Sequence, residues 1–226
     1  MPTGDSMRDG SLLVAAVEEL YAPVVSDVLD AAGCRDHAMR PGIRPLDDHM
    51  VLCGHARTAQ YMDFDEIDPD QNPNLLTMTL VDELKVGEVV VLACGGSMRI
   101  APWGELLSTA AQARGAAGFV TDGLVRDSRT VRKMKFPVFH AGIGLIDARG
   151  RGKVAATDIP VECGGVLVRP GDLVFGDADG VVVIPREREE STLRSALERV
   201  AAEDSIRREL RQGKPLIEVF AKYGVL

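Results

Sequence analysis

The sequence predicts an α/β protein with a parallel βαβ unit at its centre and a β-rich C-terminal half. Three observations carry that reading. Residues 89–94 form an unbroken apolar run of strand length, bounded by Gly87 and by Gly95-Gly96. Residues 105–114 place apolar side chains at 106, 107, 110, 111 and 113 and stop at Gly115, the pattern of a helix with a glycine end. Residues 118–121 make a second short apolar run, turned by Asp122-Gly123. This spacing suits a crossover between parallel strands. Such a unit brings the helix start and the loop after the second strand to one edge of the sheet, where open α/β sheets bind their ligands.

The remaining elements follow in order. Residues 1–10 read as a disordered start, 11–185 as one domain, and 186–226 as C-terminal helices packing on a neighbouring subunit. Residues 11–20 carry apolar positions 12, 13, 16, 17 and 20, so a helix capped by Ser11 is expected. Pro23 interrupts it. Ser26 then opens a short helix, SDVLDAAG, closed by Gly33, with Asp27 explained by the helix dipole. Pro41, Gly42 and Pro45 make 34–50 irregular. Residues 51–61 are expected as a strand with a bulge at Gly54 and a structural His55. Residues 62–74, MDFDEIDPDQNPN, read as a mobile surface loop. Its carboxylates do not follow the order of a calcium loop, so they read as solvated. Residues 75–84 suit a helix. After a polar, basic stretch at 128–135 comes a short strand at 136–139. Several short strands at 154–184 follow, with turns at Pro170-Gly171 and Asp179-Gly180. Residues 186–211 form a long charged helix ended by Gly213 and Pro215, and LIEVFAKYG a last short one.

Composition narrows the function. Net charge is -8 with signs interspersed, and aromatic content is 4%, which disfavours a nucleic-acid surface. No apolar run reaches membrane-spanning length and the first ten residues lack an apolar signal core, so a cytoplasmic protein is expected. Cys34, Cys53, Cys94 and Cys163 have no CxxC spacing and read as reduced thiols. The nucleotide fingerprints G-x-G-x-x-G and G-x-x-x-x-G-K-[ST], the zinc motif H-E-x-x-H and the G-x-S-x-G elbow are all missing.

The candidate site is the edge of the βαβ unit. Glu105 opens the helix and Arg126-Asp127 follow the second strand. Arginine suits a planar carboxylate through two parallel hydrogen bonds. Asp127 offers the hard oxygen that Mg²⁺ takes while keeping several waters. The amides after Gly104, those of Leu106 and Leu107, are where an anion is welcomed. Together they would hold a 2-oxo acid; a loop salt bridge between Arg126 and Asp127 is the plainer reading.

The run WGELL…ARGAAGFVTDGLVRD resembles the RraA-like superfamily, and within it most closely the class II pyruvate aldolases. Those enzymes cleave 4-hydroxy-4-methyl-2-oxoglutarate and 4-carboxy-4-hydroxy-2-oxoadipate. Their signature is an acid, twenty intervening residues, then Arg-Asp; here Glu105 is followed by 106–125 and by Arg126-Asp127. SDVLDAAG, GHART (54–58) and GDADGVVVIP (176–185) extend the similarity from about residue 20 to 215. The resemblance implies a layered αββα-type fold, a homotrimer or homohexamer with sites between subunits, and a Mg²⁺ or Mn²⁺ requirement. It implies that Asp127 binds the metal and Arg126 stabilises a pyruvate enolate. Glu105 would position water for proton transfer, and the Leu106 and Leu107 amides would hold the substrate carboxylate. An acid from a neighbouring subunit's C-terminal helix is also implied, Glu203 foremost and Glu198 behind it. Many members have Asp where this chain has Glu105. Oxaloacetate decarboxylation would be a side activity. Other superfamily members resemble the chain in fold but inhibit an RNA-processing endonuclease, and they generally lack the acid–Arg-Asp set. Nothing resembles the S-adenosylmethionine site that a methyltransferase would need.

Overall fold

The computed structural model describes residues 4–64, 72 and 74–224. Helices α1 (Gly4–Glu19) and α2 (Ala22–Ala31) precede β1 (Arg44–Pro45), the long β2 (Leu52–Asp63) and α3 (Leu75–Asp82). The central unit is β3 (Glu88–Ala93), α4 (Glu105–Ala113) and β4 (Gly118–Thr121). It leads through β5 (Leu124–Val125) and α5 (Ser128–Met134) to β6 (Val138–His140) and β7 (Gly142–Ile143). The C-terminal strands are β8 (Gly152–Thr157), β9 (Val161–Cys163), β10 (Val166–Val168), β11 (Leu173–Asp177) and β12 (Gly180–Ile184). A 3₁₀ turn, Arg186–Arg188, opens α6 (Glu189–Arg211), and α7 (Leu216–Tyr223) follows.

The main sheet runs β1-β6-β4-β3-β2-β11-β12, with β8 also on β2. The two strands of the central unit are parallel, Val89 opposite Gly118 through Leu92 opposite Thr121. The chain before β1 bridges to β12 at Ala38 and Val182, so the sheet curls almost into a barrel. Alternation along the strands creates two cores. Val181 and Val183 of β12 and Val174 of β11 point into one, around Trp103, Phe119 and Phe139. Val182, Ile184, Leu173 and Phe175 point the other way, onto α1, α2 and α6. The layered α/β architecture expected from the sequence is the one observed.

Several local expectations are corrected. Helix α1 runs through Ser11 and starts at Gly4, because adding residues to an existing helix costs far less than nucleating one. Residues 1–3 of the expected disordered start lie outside the described residues. Helix α2 begins at Ala22 with Pro23 in its first turn, where proline's missing N–H costs nothing. Ser26 therefore does not cap it; its hydroxyl meets His37 Nε2 at 2.8 Å. Asp27 pairs with Arg199 at 2.7 Å, so an ion pair replaces the dipole account. Gly54 stays in register opposite Val174, and the irregularity falls between Gln60 and Tyr61. Glycine is needed at 54 because a Cβ would collide with the Gly87 carbonyl and stand 3.0 Å from Ala117 Cβ. The basic stretch after Asp127 is the helix α5. Within its own chain the polar α6 also lies on α1 and α2 through Leu193 and Ala196, an addition to the expected packing on a neighbouring subunit and not a replacement for it. Most of the expected loop at 62–74, residues 65–71 and 73, is outside the described residues. His55 ties β2 to α6 through Glu189 at 2.9 Å, a structural role. Among the described residues no helix is long and apolar enough to cross a membrane.

One buried group gives the fold a pH signature. His140 ends β6 at 9% exposure, and among the described residues neither ring nitrogen makes a full hydrogen bond. Burial first, and the Arg132 guanidinium second, push it down from 6.5 to about 4, against a weaker pull from the Gly142 backbone. Between those values the unfolded chain binds the proton and the folded chain does not. Stability contributed by neutral His140 is therefore full above pH 6.5 and is lost as pH falls toward 4. The loss amounts to about 3 kcal/mol. Urea midpoints taken across that window should fall more steeply for the native chain than for His140→Gln.

Candidate functional site

The site is built where the loop entering α4 meets the loop leaving β4. Trp103 anchors the first. Its ring stacks on Phe119 with centroids 4.0 Å apart. Its indole N–H donates to Ser108 Oγ at 2.9 Å, and that hydroxyl donates to the Gly104 carbonyl at 2.9 Å. The second loop is laced to it, since Arg126 N donates to the Trp103 carbonyl at 2.9 Å. Gly104 then caps α4 in an extended conformation, and Glu105 occupies the first helical position.

Asp127 sits at φ 56, ψ 27, a left-handed conformation uncommon for a side-chain-bearing residue and best tolerated by Asn and Asp. It starts α5, its carbonyl accepting from Thr130 and Val131. Its carboxylate is thereby turned back onto the start of α4, where Oδ2 accepts the Glu105 N–H at 3.1 Å. Arg126 lies beside it. Nε is 3.7 Å from Asp127 Oδ2, and Nη1 is 2.9 Å from Asp147 Oδ1. The side chains of Arg126 and Asp127 are 35% and 46% exposed, so the pair faces outward. Gly104 makes the approach possible, because a Cβ there would overlap Asp127 Oδ2 and stand 2.9 Å from Arg126 Cγ.

The structure thus brings Gly104, Glu105, Arg126 and Asp127 together as expected. The amides of Leu106 and Leu107 belong to the same first turn, which has no intrahelical carbonyl to bond. The Glu105 carboxylate is turned along its own helix, where Oε1 accepts from Thr109 at 3.0 Å. Glu203 is engaged elsewhere in this chain: it accepts from Tyr21, from Arg207 at 2.8 Å, and lies 3.6 Å from Arg199. Glu198 is exposed on the same helix.

Three features were not foreseen. Asp147 reaches Arg126 from a segment whose backbone bridges to Ala101. The Trp103–Ser108–Gly104 relay shapes the helix entrance. Behind it, the buried Asp122 accepts from the amides of Cys94 at 2.6 Å and Gly96 at 2.9 Å, and so ties down the glycine loop after β3. The G-G that follows the first strand was the one available signal for that loop. Burial pushes the Cys53 and Cys94 thiols up to about 12, so both stay protonated near neutral pH.

Comparison with known proteins places the chain in a family. The sequence profile of the RraA-like family, described as Aldolase/RraA, matches residues 22–183. The chain belongs to the RraA-like family. That match spans β3, α4, β4 and every residue of the acid–Arg-Asp set. A relative from Halalkalibacterium halodurans named "Putative 4-hydroxy-4-methyl-2-oxoglutarate aldolase" is 33% identical over 196 residues, covering 87% of each chain. Among solved structures, an RraA-like protein of Streptomyces coelicolor, RraAS2, is described as an unusual member of the RNase ES inhibitor RraA protein family. It superposes with a TM-score of 0.77 at 30% identity, covering 88% of this chain and 96% of that one. An uncharacterized protein from Pseudomonas syringae pv. tomato superposes with a TM-score of 0.80 at 28% identity, covering 93% and 96%.

Proposed function

We propose that the chain is a divalent-metal aldolase that cleaves a 4-hydroxy-2-oxo di- or tricarboxylic acid to pyruvate. The observation that carries this reading is the left-handed Asp127, which turns a half-exposed carboxylate onto a helix start beside an outward-facing arginine. The similarity to relatives named as aldolases supports it. The donor set also fits Mg²⁺ or Mn²⁺. Among the described residues no group of three or more His, Cys, Asp or Glu could enclose an ion. A single carboxylate completed by waters is how Mg²⁺ is commonly held. Asp127 would be its ligand, and the cation would supply Lewis-acid polarisation of the 2-oxo group.

The chain's own residues account for the rest. The Leu106 and Leu107 amides hold the substrate's 1-carboxylate at the positive end of α4. The C4 hydroxyl gives up its proton, with Glu105 ordering the water that receives it. The C3–C4 bond breaks, C4 becomes a carbonyl carbon, and the bonding pair passes through C3 to the 2-oxo oxygen. Arg126 faces that oxygen and stabilises charge that develops only as the bond breaks. Protonation of C3 gives pyruvate. Oxaloacetate would lose CO₂ through the same enolate. Glu203 from a second copy of the chain, in a trimer or hexamer, is expected to approach the metal's waters.

Pyruvate release from 4-hydroxy-4-methyl-2-oxoglutarate and from oxaloacetate, with Mg²⁺ and with EDTA, tests the reading. Turnover that EDTA abolishes and Mg²⁺ restores is expected. A folded protein that turns over neither substrate with Mg²⁺ or Mn²⁺ overturns it. That outcome favours a second reading, a protein regulator that binds an RNA-processing endonuclease, which the likeness to the Streptomyces coelicolor protein supports.

A further inference from the structure

Arg126 is bracketed. Asp127 stands on its Nε side, and on the far side Asp147 forms an ion pair with Nη1 at the shorter distance of 2.9 Å. The backbone that carries Asp147 is held in place. Residue 147 bridges to Ala101, Ala101 N donates to the Ile146 carbonyl at 2.8 Å, and Gly144 N donates to the Val125 carbonyl at 2.9 Å. The backbone that carries Asp147 is therefore laced to the segments on both sides of Arg126. Asp147 also lies close enough to Tyr61 to help raise that phenol's pKa, behind burial and the Cys94 and Asp63 charges. A guanidinium is planar and has five N–H donors in a fixed fork. A carboxylate beside Nε and another beside Nη1 favour one orientation of that plane and leave Nη2 for a third acceptor. Gly104 leaves room for the arginine stem, whose Cγ lies 2.9 Å from where a Cβ would be.

We infer that Asp147 is a positioning residue for the proposed aldolase reaction: it fixes the Arg126 guanidinium so that Nη2 is presented to the oxygen on which negative charge develops. The inference rests on the aldolase reading for its chemistry, but not for its geometry. An arginine left to rotate would reorganise during bond breaking, and preorganisation is what makes such a group effective.

The test uses Asp147→Asn, with Asp147→Glu as the conservative variant, and two readouts. In the metal-free protein, the side-chain NMR signals of Arg126 report guanidinium rotation. They should show hindered rotation in the native chain and averaging in Asp147→Asn. In the Mg²⁺-loaded protein, calorimetry compares oxalate, which mimics the enolate, with pyruvate. Oxalate should bind Asp147→Asn about 10- to 100-fold more weakly, the usual cost of losing a group that orients a site residue, with pyruvate affinity held within about twofold. The fall in kcat should match the oxalate loss with KM little changed, and Asp147→Glu should recover part of both. A structural defect would weaken both ligands together and would overturn the inference. So would unchanged oxalate affinity and unchanged Arg126 signals in Asp147→Asn. If the native protein makes no pyruvate while Arg126 still loosens in Asp147→Asn, the aldolase reading fails and the positioning role stands.

Discussion

Asp127→Ala is expected to lower pyruvate formation by about 10³-fold, the upper range for deleting one group that stabilises developing charge. Two losses coincide in this variant. The hard oxygen ligand goes, and so does the acceptor that fixes the Glu105 amide at 3.1 Å. A stability cost is also expected, because alanine tolerates φ 56 less well than aspartate does. That cost is on the order of 1 kcal/mol. Asp127→Asn separates the two. Asparagine accepts the left-handed conformation and can still take the Glu105 N–H, but it carries no charge. Its melting temperature should match the native protein while its activity falls nearly as far as that of Asp127→Ala. If Asp127→Asn keeps more than about a tenth of native turnover, the negative charge is not what the site needs, and the metal assignment goes with it.

What the sequence made legible was what short-range pattern encodes. The 89–94 and 118–121 runs and the helix between them are local periodicities, and their parallel pairing followed from the crossover length. The Arg126-Asp127 pair was legible for the same reason, as a dipeptide at a turn after a strand. Asp147 was not, because it approaches Arg126 from a segment that pairs with residue 101, a contact no local window contains. Gly54 was misread as a bulge because a sequence shows that a side chain is missing but not which neighbour would have met it; here it is the Gly87 carbonyl. Asp27 was assigned to a helix dipole because its partner, Arg199, lies far along the chain. The start of α1 was misplaced because helix propagation through Ser11 overrode a favourable cap residue. In each case a long-range contact or a cooperative effect decided between two locally acceptable choices.

Gly104→Ala isolates the geometry of the site from its chemical groups. Gly104 has φ -152 and ψ -159, extended backbone open to any residue, so alanine brings no conformational strain. What it brings is a Cβ that would overlap Asp127 Oδ2 and press on Arg126, 2.9 Å from Cγ and 3.3 Å from Nε. Every catalytic group is still present. Both neighbours are partly exposed side chains that can swing into solvent, so the fold should give way there and not in the core. The helix loses a modest preference, since alanine is a poorer N-cap than glycine, at a cost of about 1 kcal/mol or less. Displacing Asp127 and Arg126 by about an ångström is nevertheless enough to cost on the order of 10²-fold in rate. The expected result is a variant with a nearly native melting temperature, weaker Mg²⁺ dependence, and kcat reduced far more than KM is raised. Trp103→Phe supplies the contrast, because it removes the indole N–H that holds Ser108 while adding no Cβ against Asp127 and Arg126. It should lose stability and keep more of its activity than Gly104→Ala. If Gly104→Ala instead retains turnover within about threefold, the spacing between Asp127, Arg126 and the helix start does not govern the reaction, and the functional centre must be sought at another edge of the sheet.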